Sequence, residues 1–254
     1  MILTIDIGNT NIELGVVDEQ GIVFQERIST DIDRTELEYA VLIKNALEVH
    51  SLTGDEITGS IMSSVVPPLV HIIKSAIKKL IGITPMVVGA GLKTGLDIKI
   101  DNPKTLGADI VVDSVAAKEI YGAPCIVIDM GTATTLSVLD QKGCFIGGVI
   151  LPGLRTSLDA LVSNAAQLSQ TSLAAPKKVI GKNTLDCLRG GMIYGNAASI
   201  DGMIERMEEE LGCKCTIVAT GGLAQAVIPH CRHNIIIDED LLLKGLQIIY
   251  EKNR

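Results

Sequence analysis

Along most of the chain short apolar blocks, some unbroken and some alternating, are separated by stretches in which apolar residues return every three or four positions. Residues 2–7, 12–17 and 22–28 read as three successive strands. Leu37, Ala40, Val41, Lys44 and Leu47 then mark helical spacing and predict a helix over 35–49. A strand near 58–65 stops at Pro67-Pro68, a helix runs on to Ile81, and a strand at 86–88 follows. Beyond it the pattern predicts a helix over 104–121, a strand over 125–128, a second alternating pair, and a helix from about Leu154. A Ser-, Gln- and Ala-rich loop containing Pro176 leads to a long helix over 183–211. The remainder reads as a strand at 216–219, a helix after Gly222, a strand at 234–237 and a closing helix at 240–252. Strands alternating with helices indicate an α/β fold of sheets covered by helices.

The pattern repeats. "TIDIGNTNIELGVVDEQGIVF" and "VIDMGTATTLSVLDQKGCFIGGVI" each run from an apolar strand into Asp-x-Gly, an alternating segment, a polar four-residue turn ending in Gly, and a second alternating segment. Asp129 follows Asp6 by 123 positions and Gly143 follows Gly21 by 122, so the register holds through a whole strand-turn-strand unit. This spacing predicts a duplicated domain, with units at 1–117 and 118–254; a last helix that packs back on the first unit is a further expectation, which the spacing does not supply. A chain of 254 residues divides into two units of roughly 120, each large enough for its own core.

Composition narrows the partners. Hydrophobic residues make up 47% of the chain, almost all aliphatic, with two Phe, four Tyr and no Trp, and the net charge is −8. Nucleic-acid binding relies on basic clusters and often on stacking aromatics, which argues against that partner here. An anionic small molecule such as ATP would have to be held by backbone N–H groups, a metal ion and a few local cations. The first strand begins at Met1, and no apolar run approaches the roughly 18 residues of a membrane span; the expectation is a cytoplasmic protein. The six cysteines have no Cys-x-x-Cys spacing and several lie in apolar runs, so reduced, buried thiols are expected. Cys213, Cys215, His230, Cys231 and His233 form a minor zinc alternative whose spacing matches no finger pattern.

The repeated turns carry the candidate chemistry. Asp6-Ile7-Gly8-Asn9-Thr10-Asn11 supplies a carboxylate for a hydrated divalent cation, a glycine that lets backbone approach a ligand, and hydroxyl and amide donors. Asp129, Gly131, Thr132 and Thr134 repeat that order. Asp-x-Gly-Asn taken singly is ordinary hairpin material. Two copies in register, each closing an apolar strand, favour a phosphate-handling pair that grips a nucleotide from two sides. Val218-Ala219-Thr220-Gly221-Gly222 ends another strand in a glycine pair that suits either an adenosine or a plain strand-to-helix turn.

With "DIGNTN" at 6–11, "SSVVP" at 63–67, "DNPKTLGAD" at 101–109, "DMGTATT" at 129–135, "GGVILPGL" at 147–154, "IGKNT" at 180–184, "ATGGLA" at 219–224 and "LLLKGLQIIYEKN" at 241–253, the chain resembles the type III pantothenate kinases. These belong to the acetate kinase, sugar kinase, Hsp70 and actin superfamily. The resemblance implies two duplicated actin-like, ribonuclease H-like domains with mixed sheets and a nucleotide cleft between them. It implies phosphorylation of pantothenate by ATP to 4′-phosphopantothenate, the first step of coenzyme A synthesis, with magnesium, a monovalent cation (potassium or ammonium) near Asp129, and a homodimer.

By the same resemblance Asp6, Ile7, Gly8, Asn9, Thr10, Asn11, Ile12, Glu13 and Thr132 fall to ATP, with Asp6 and Asp129 serving the metal ions. Gly107, Ala108, Asp109, Ile110 and Thr184 fall to pantothenate, with Asp109 as catalytic base. Asp109 lies in the first turn of the helix expected after Pro103, where the helix dipole favours its ionised form; Asp113, one turn on, is the rival.

Two positions depart from the family pattern. Ile110 stands where the family has Arg in Gly-x-Asp-Arg, and Ile100 stands where it usually has Tyr. Both missing side chains belong to the substrate side, so an altered substrate or a regulatory nucleotide-binding role is the second reading, and an unrelated ATPase or metal protein the third.

Overall fold

The computed structural model describes every residue of the chain except Ala166. Two compact units emerge. The first gathers Met1–Leu96, Asn102–Ala116 and Leu241–Arg254; the second gathers Asp97–Asp101 and Ala117–Asp240.

In the first unit, strands β1 (Ile2–Ile7), β2 (Asn11–Asp18), β3 (Gly21–Ser29), β4 (Gly59–Ser64) and β5 (Met86–Val87) form one sheet in the order β3-β2-β1-β4-β5. β1 is antiparallel to β2 and parallel to β4. It is buried at all six positions, which explains its unbroken apolar run. Leu3, Ile5, Ile7, Ile12, Leu14 and Val16 pack on one face against helices α1 (Glu36–Val49) and α2 (Pro67–Ile81). The sequence starts these helices deliberately: Thr35 and Glu38 close a reciprocal capping box on α1, and proline opens α2, where no N–H is needed.

The closing helix α8 (Leu241–Glu251) belongs to this unit. Its Leu243 sits so close to Gly15 that a Cβ there would fall 2.6 Å from the leucine and 2.9 Å from the Thr4 hydroxyl. Helix α3 (Ala108–Tyr121) approaches α8 through a second glycine, since a Cβ on Gly245 would lie 2.4 Å from the Val112 carbonyl oxygen. The expected start at 104 is replaced by a separate 3-10 turn, Pro103–Thr105, capped by the Asn102 side chain, and α3 begins at Ala108.

The second unit repeats the sheet with β6 (Cys125–Met130), β7 (Ala133–Leu139), β8 (Phe145–Pro152), β9 (Thr216–Thr220) and β10 (Ile236–Ile237), ordered β10-β9-β6-β7-β8. Ile126, Ile128, Met130, Leu136 and Val138 pack against Leu154 of α4 (Leu154–Asn164) and Ala197, Ile200 and Ile204 of α6 (Asn196–Leu211). The long helix expected over 183–211 is three segments: α5 (Thr184–Gly190), a π-helical turn Gly191–Gly195, and α6. The helix expected after Gly222 shrinks to α7 (Ala224–Val227) and a 3-10 turn containing Pro229, whose missing N–H cannot extend it.

Duplication reaches fine detail. β2 and β7 carry a register shift at matching points, Val16/Val17 and Val138/Leu139. Asp18 Oδ1 accepts from the N–H groups of Gln20 and Gly21, and Asp140 Oδ1 accepts from those of Lys142 and Cys144. Gly21 and Gly143 have φ of 127° and 70°, the region glycine enters at no steric cost.

The crowded glycine on α8 gives a stability test. Ala in a helix is worth about 1 kcal/mol over Gly, yet at position 245 overlap with the Val112 backbone should cost about 1–3 kcal/mol, as overpacking does. Gly245→Ala is expected to lower the melting temperature by several degrees. Gly202→Ala on α6, where a Cβ meets only the guanidinium end of the long Arg206 side chain at 3.1 Å, should raise it slightly.

Candidate active site

Each Asp-x-Gly turn closes the central strand of its own unit. In the first, Asp6 ends β1 opposite Ser63 of β4, and the Ser63 hydroxyl donates to Asp6 Oδ1 at 2.6 Å. Asp6 is buried, so this charge-assisted bond matters to it. Gly8 N–H donates to the Asn11 carbonyl at 3.0 Å, closing a turn that leaves Asn9, Thr10 and Asn11 exposed. Thr30, just after β3, braces the turn: its hydroxyl donates to the Gly8 carbonyl at 2.6 Å and its N–H to the Thr10 carbonyl at 3.0 Å. Ile7 and Ile12 are core residues. Glu13 is held by Arg27 at 2.5 Å and by Gln25 at 3.3 Å.

In the second unit Asp129 stands opposite Thr220 of β9 in the same parallel register, so a hydroxyl residue faces the aspartate position in both copies. The turn is one residue shorter, with Gly131 N–H donating to the Ala133 carbonyl at 3.0 Å. That missing residue accounts for the change of offset from 123 to 122. Gly221, at φ 90°, lies against Asp129: a Cβ there would fall 2.5 Å from Oδ1. Gly153 comes onto the turn in the same way, 2.2 Å from the Thr132 carbonyl oxygen, and the Thr156 hydroxyl donates to that carbonyl at 2.8 Å. Thr132 is exposed, whereas Thr134 is buried with its side chain on the Leu136 and Val138 side of β7.

Gly107, Ala108, Asp109 and Ile110 are half-buried at the start of α3 in the first unit. Asp109 Oδ1 accepts from the Ile110 N–H at 2.8 Å, and a Cβ on Gly107 would fall 2.3 Å from that oxygen. Burial pushes the Asp109 carboxyl above the ordinary aspartate range, and the backbone N–H groups of Ile110 and Asp109 oppose it only in part. The local environment therefore makes Asp109 more basic, the reverse of what the helix dipole alone predicts. Asp113 is buried. Thr184 is exposed at the first position of α5, whose N-cap, Asn183, accepts from Asp186 N–H at 2.8 Å.

Among the described residues no group of three or more His, Cys, Asp or Glu is arranged to hold a metal. His233 Nδ1 lies 2.7 Å from Asp201, and the Cys231 thiol points toward the Ala197 carbonyl at 3.8 Å. Burial pushes the thiols of Cys125 and Cys231 up to about 12, while Cys187 is exposed rather than buried. A magnesium ion of the kind that keeps several waters and leans on one or two carboxylates plus phosphate oxygens needs no such cluster. No helix among the described residues is long and apolar enough to cross a membrane.

Of the supports, Thr30 and Thr156 are not singled out by the sequence, while Ser63, Gly153, Thr220 and Gly221 lie in stretches already noted, though not for this bracing role. The signal available was a hydroxyl residue or glycine at the end of the parallel neighbouring strand.

Two five-stranded mixed sheets of the same order, each with an aspartate closing its central strand, define a protein of the actin-like ATPase and sugar kinase fold. Solved structures agree on that fold. One described as a Baf family transcriptional activator from Campylobacter jejuni matches at TM-score 0.61 and 20% identity over 98% of both chains. The activator of 2-hydroxyisocaproyl-CoA dehydratase from Clostridium difficile, solved with ADPNP, matches at TM-score 0.54 and 13% identity over 99% of this chain and 94% of that one.

Sequence comparison goes further. Residues 2–206 match the family model for type III pantothenate kinase. Proteins of that name from Halalkalibacterium halodurans and Moorella thermoacetica are 44% and 41% identical, with both chains covered end to end. The chain belongs to the type III pantothenate kinase family.

Ser63 offers a direct test of the first turn. A hydrogen bond to a charged group contributes roughly 1.5–3 kcal/mol, so Ser63→Ala should destabilise the fold by about that amount at neutral pH. Denaturant unfolding should show a lower midpoint with unchanged slope; an unchanged midpoint would mean that Asp6 is solvated by other groups.

Proposed function

We propose that the chain transfers the γ-phosphoryl group of ATP to the primary hydroxyl of pantothenate, giving 4′-phosphopantothenate, the opening step of coenzyme A synthesis. Family membership over the full length of its relatives carries this reading. In the chemistry we assign, Asp109 accepts the proton of the attacking hydroxyl. The loose phosphoryl-transfer transition state asks little covalent work of the protein, so positioning and charge stabilisation dominate. Asn9, Thr10 and Asn11 in the first unit and Thr132 in the second offer polar groups to the phosphates, with backbone brought near by Gly8 and Gly131. Asp6 and Asp129, each in its own unit, would serve the metal ions, with hydrated magnesium supplying positive charge to the phosphate oxygens and a potassium or ammonium ion near Asp129. Gly107, Ala108, Ile110 and Thr184 are assigned to pantothenate.

A homodimer is part of the proposal. β8 is the edge of its sheet, bridged by Ile98 only at Phe145; it carries no charge from Phe145 to Pro152 and leaves Ile146 and Ile150 exposed. Such an edge is one that proteins normally cover.

Asp109→Asn should reduce turnover by about 10²–10⁴-fold, the range for general acid-base groups, with ATP affinity retained. Because the folded pKa of Asp109 is raised, its ionised form weakens the fold at neutral pH, and the variant should melt no lower than the parent. The base must be ionised, so kcat/KM should fall as pH drops through a midpoint above the usual aspartate value of about 4. The Asn variant should lose that limb. Turnover unaffected by the change would remove Asp109 from the reaction.

Ile110 bears on the substrate. If the missing Arg of the family pattern is uncompensated, pantothenate should be turned over with a KM about 10- to 100-fold higher than an Arg contact would give. Ile110→Arg is expected to lower KM with little change in kcat. Should neither form phosphorylate pantothenate at any concentration, an altered acceptor becomes the better assignment.

A further inference from the structure

One stretch of this acidic chain is basic. From residue 165 to residue 183 there is no Asp or Glu, while Lys177, Lys178 and Lys182 are present and exposed, in a protein whose net charge is −8. Facing this stretch from α5 is Arg189. Its Nε donates to the Thr171 hydroxyl at 2.8 Å and its Nη2 to the Ser172 hydroxyl at 2.9 Å.

Two arginines among the described residues are half-buried, Arg34 and Arg189. Arg34 has a carboxylate, with Nε 3.5 Å from Asp31. Arg189 has none within ion-pair distance among the described residues. The acids closest to this stretch in sequence are engaged by amides: Asp159 accepts from Gln170 Nε2 at 2.8 Å, and Asp186 accepts from Asn183 Nδ2 at 2.9 Å. Taking a guanidinium partly out of water with two neutral hydroxyls as its partners leaves its charge uncompensated.

The donor set describes what would compensate it. A guanidinium has five N–H donors, of which two are used here. Each hydroxyl accepts from Arg189 and keeps its own O–H to donate. Three N–H groups and two O–H groups therefore surround one fixed positive charge, with three lysines on the adjoining chain. A tetrahedral oxyanion bearing two charges and several acceptor oxygens fits that set better than a carboxylate does, and the planar fork of Arg suits phosphate oxygens.

We propose that Arg189, Thr171 and Ser172 form an oxyanion site in the second unit that takes a phosphoryl group, as inorganic phosphate or as a phosphate monoester. The site shares no residue with those assigned to ATP and pantothenate, although Thr184 begins the helix that carries Arg189, and it does not depend on those assignments.

The test is calorimetric titration of the full chain with inorganic phosphate, at ionic strength fixed with chloride and with a non-hydrolysable ATP analogue and magnesium saturating the nucleotide site. One phosphate per chain is expected. Arg189→Gln should weaken it about 10-fold or more, the scale of a lost hydrogen bond to a charged group. The double variant Thr171→Val and Ser172→Ala, which leaves the helix intact, should also weaken it, and Lys74→Gln on α2 should not. The absence of saturable binding would overturn the proposal. So would binding that survives in both the Arg189 and the double variant, since the lysines alone would then be attracting the ion. If Arg189→Gln fails to fold, the double variant decides.

Discussion

A carboxylate at the end of a strand buried on both faces must be solvated by the chain around it. This constraint holds fully for Asp6 in the first unit, where it organises much of what surrounds it, while the matching Asp129 is half-buried. Asp6 is solvated in part by the Ser63 hydroxyl, delivered by the parallel strand β4 at the opposite register position. The first unit must therefore keep β4 in register with β1, and a slip by one residue would carry Ser63 to the other face. In the second unit Asp129 faces Thr220 across the same kind of pair, and Gly221 follows at a positive φ that lets the chain turn directly over the carboxylate. The rest of each sheet serves to hold these strand ends at fixed height.

Much of this was legible in the sequence because it depends on local patterns. The apolar run into Asp-x-Gly, the polar turn at 18–21 and its copy at 140–143 are short-range signals, and both strand-turn-strand units are found. Less legible were features set by packing. α3 starts at Ala108 because residues 103–105 spend their hydrogen bonds on a separate turn capped by Asn102. The helix expected over 183–211 carries a π turn where Gly190, Gly191 and Gly195 weaken the α ladder, and helical spacing cannot register one inserted residue. At Asp109 the sequence suggested a helix-dipole effect, yet burial of the side chain outweighs it and moves the carboxyl the other way.

The supports of the two turns were invisible for a different reason. Thr30 and Thr156 are not at equivalent positions: Thr30 follows β3 directly, whereas Thr156 lies within the first turn of α4. Each nevertheless donates its hydroxyl to a carbonyl of the adjacent turn. The requirement being met is a backbone one, an exposed loop carbonyl that needs a donor to hold the loop's shape, and any hydroxyl that reaches it will serve. Duplication conserves the requirement more strictly than the residue that fulfils it, so comparison of the two halves finds the turns and misses their braces.

The two copies have diverged in what their turns display. The first turn, one residue longer, displays three consecutive polar side chains, Asn9, Thr10 and Asn11, on an exposed loop. The second, one residue shorter, is overlaid by Gly153 at the N-terminus of α4, and at the position matching the core residue Ile12 it has the buried Thr134. A longer, side-chain-rich loop can adapt to a ligand, while a short loop backed by a helix start offers fixed backbone dipoles. The first unit also carries Asp109, whose carboxyl burial pushes above the ordinary aspartate range. That carboxyl and the longer, side-chain-rich turn thus fall in one unit and the short turn backed by a helix start in the other, so duplication has kept the strand ends while changing what each displays.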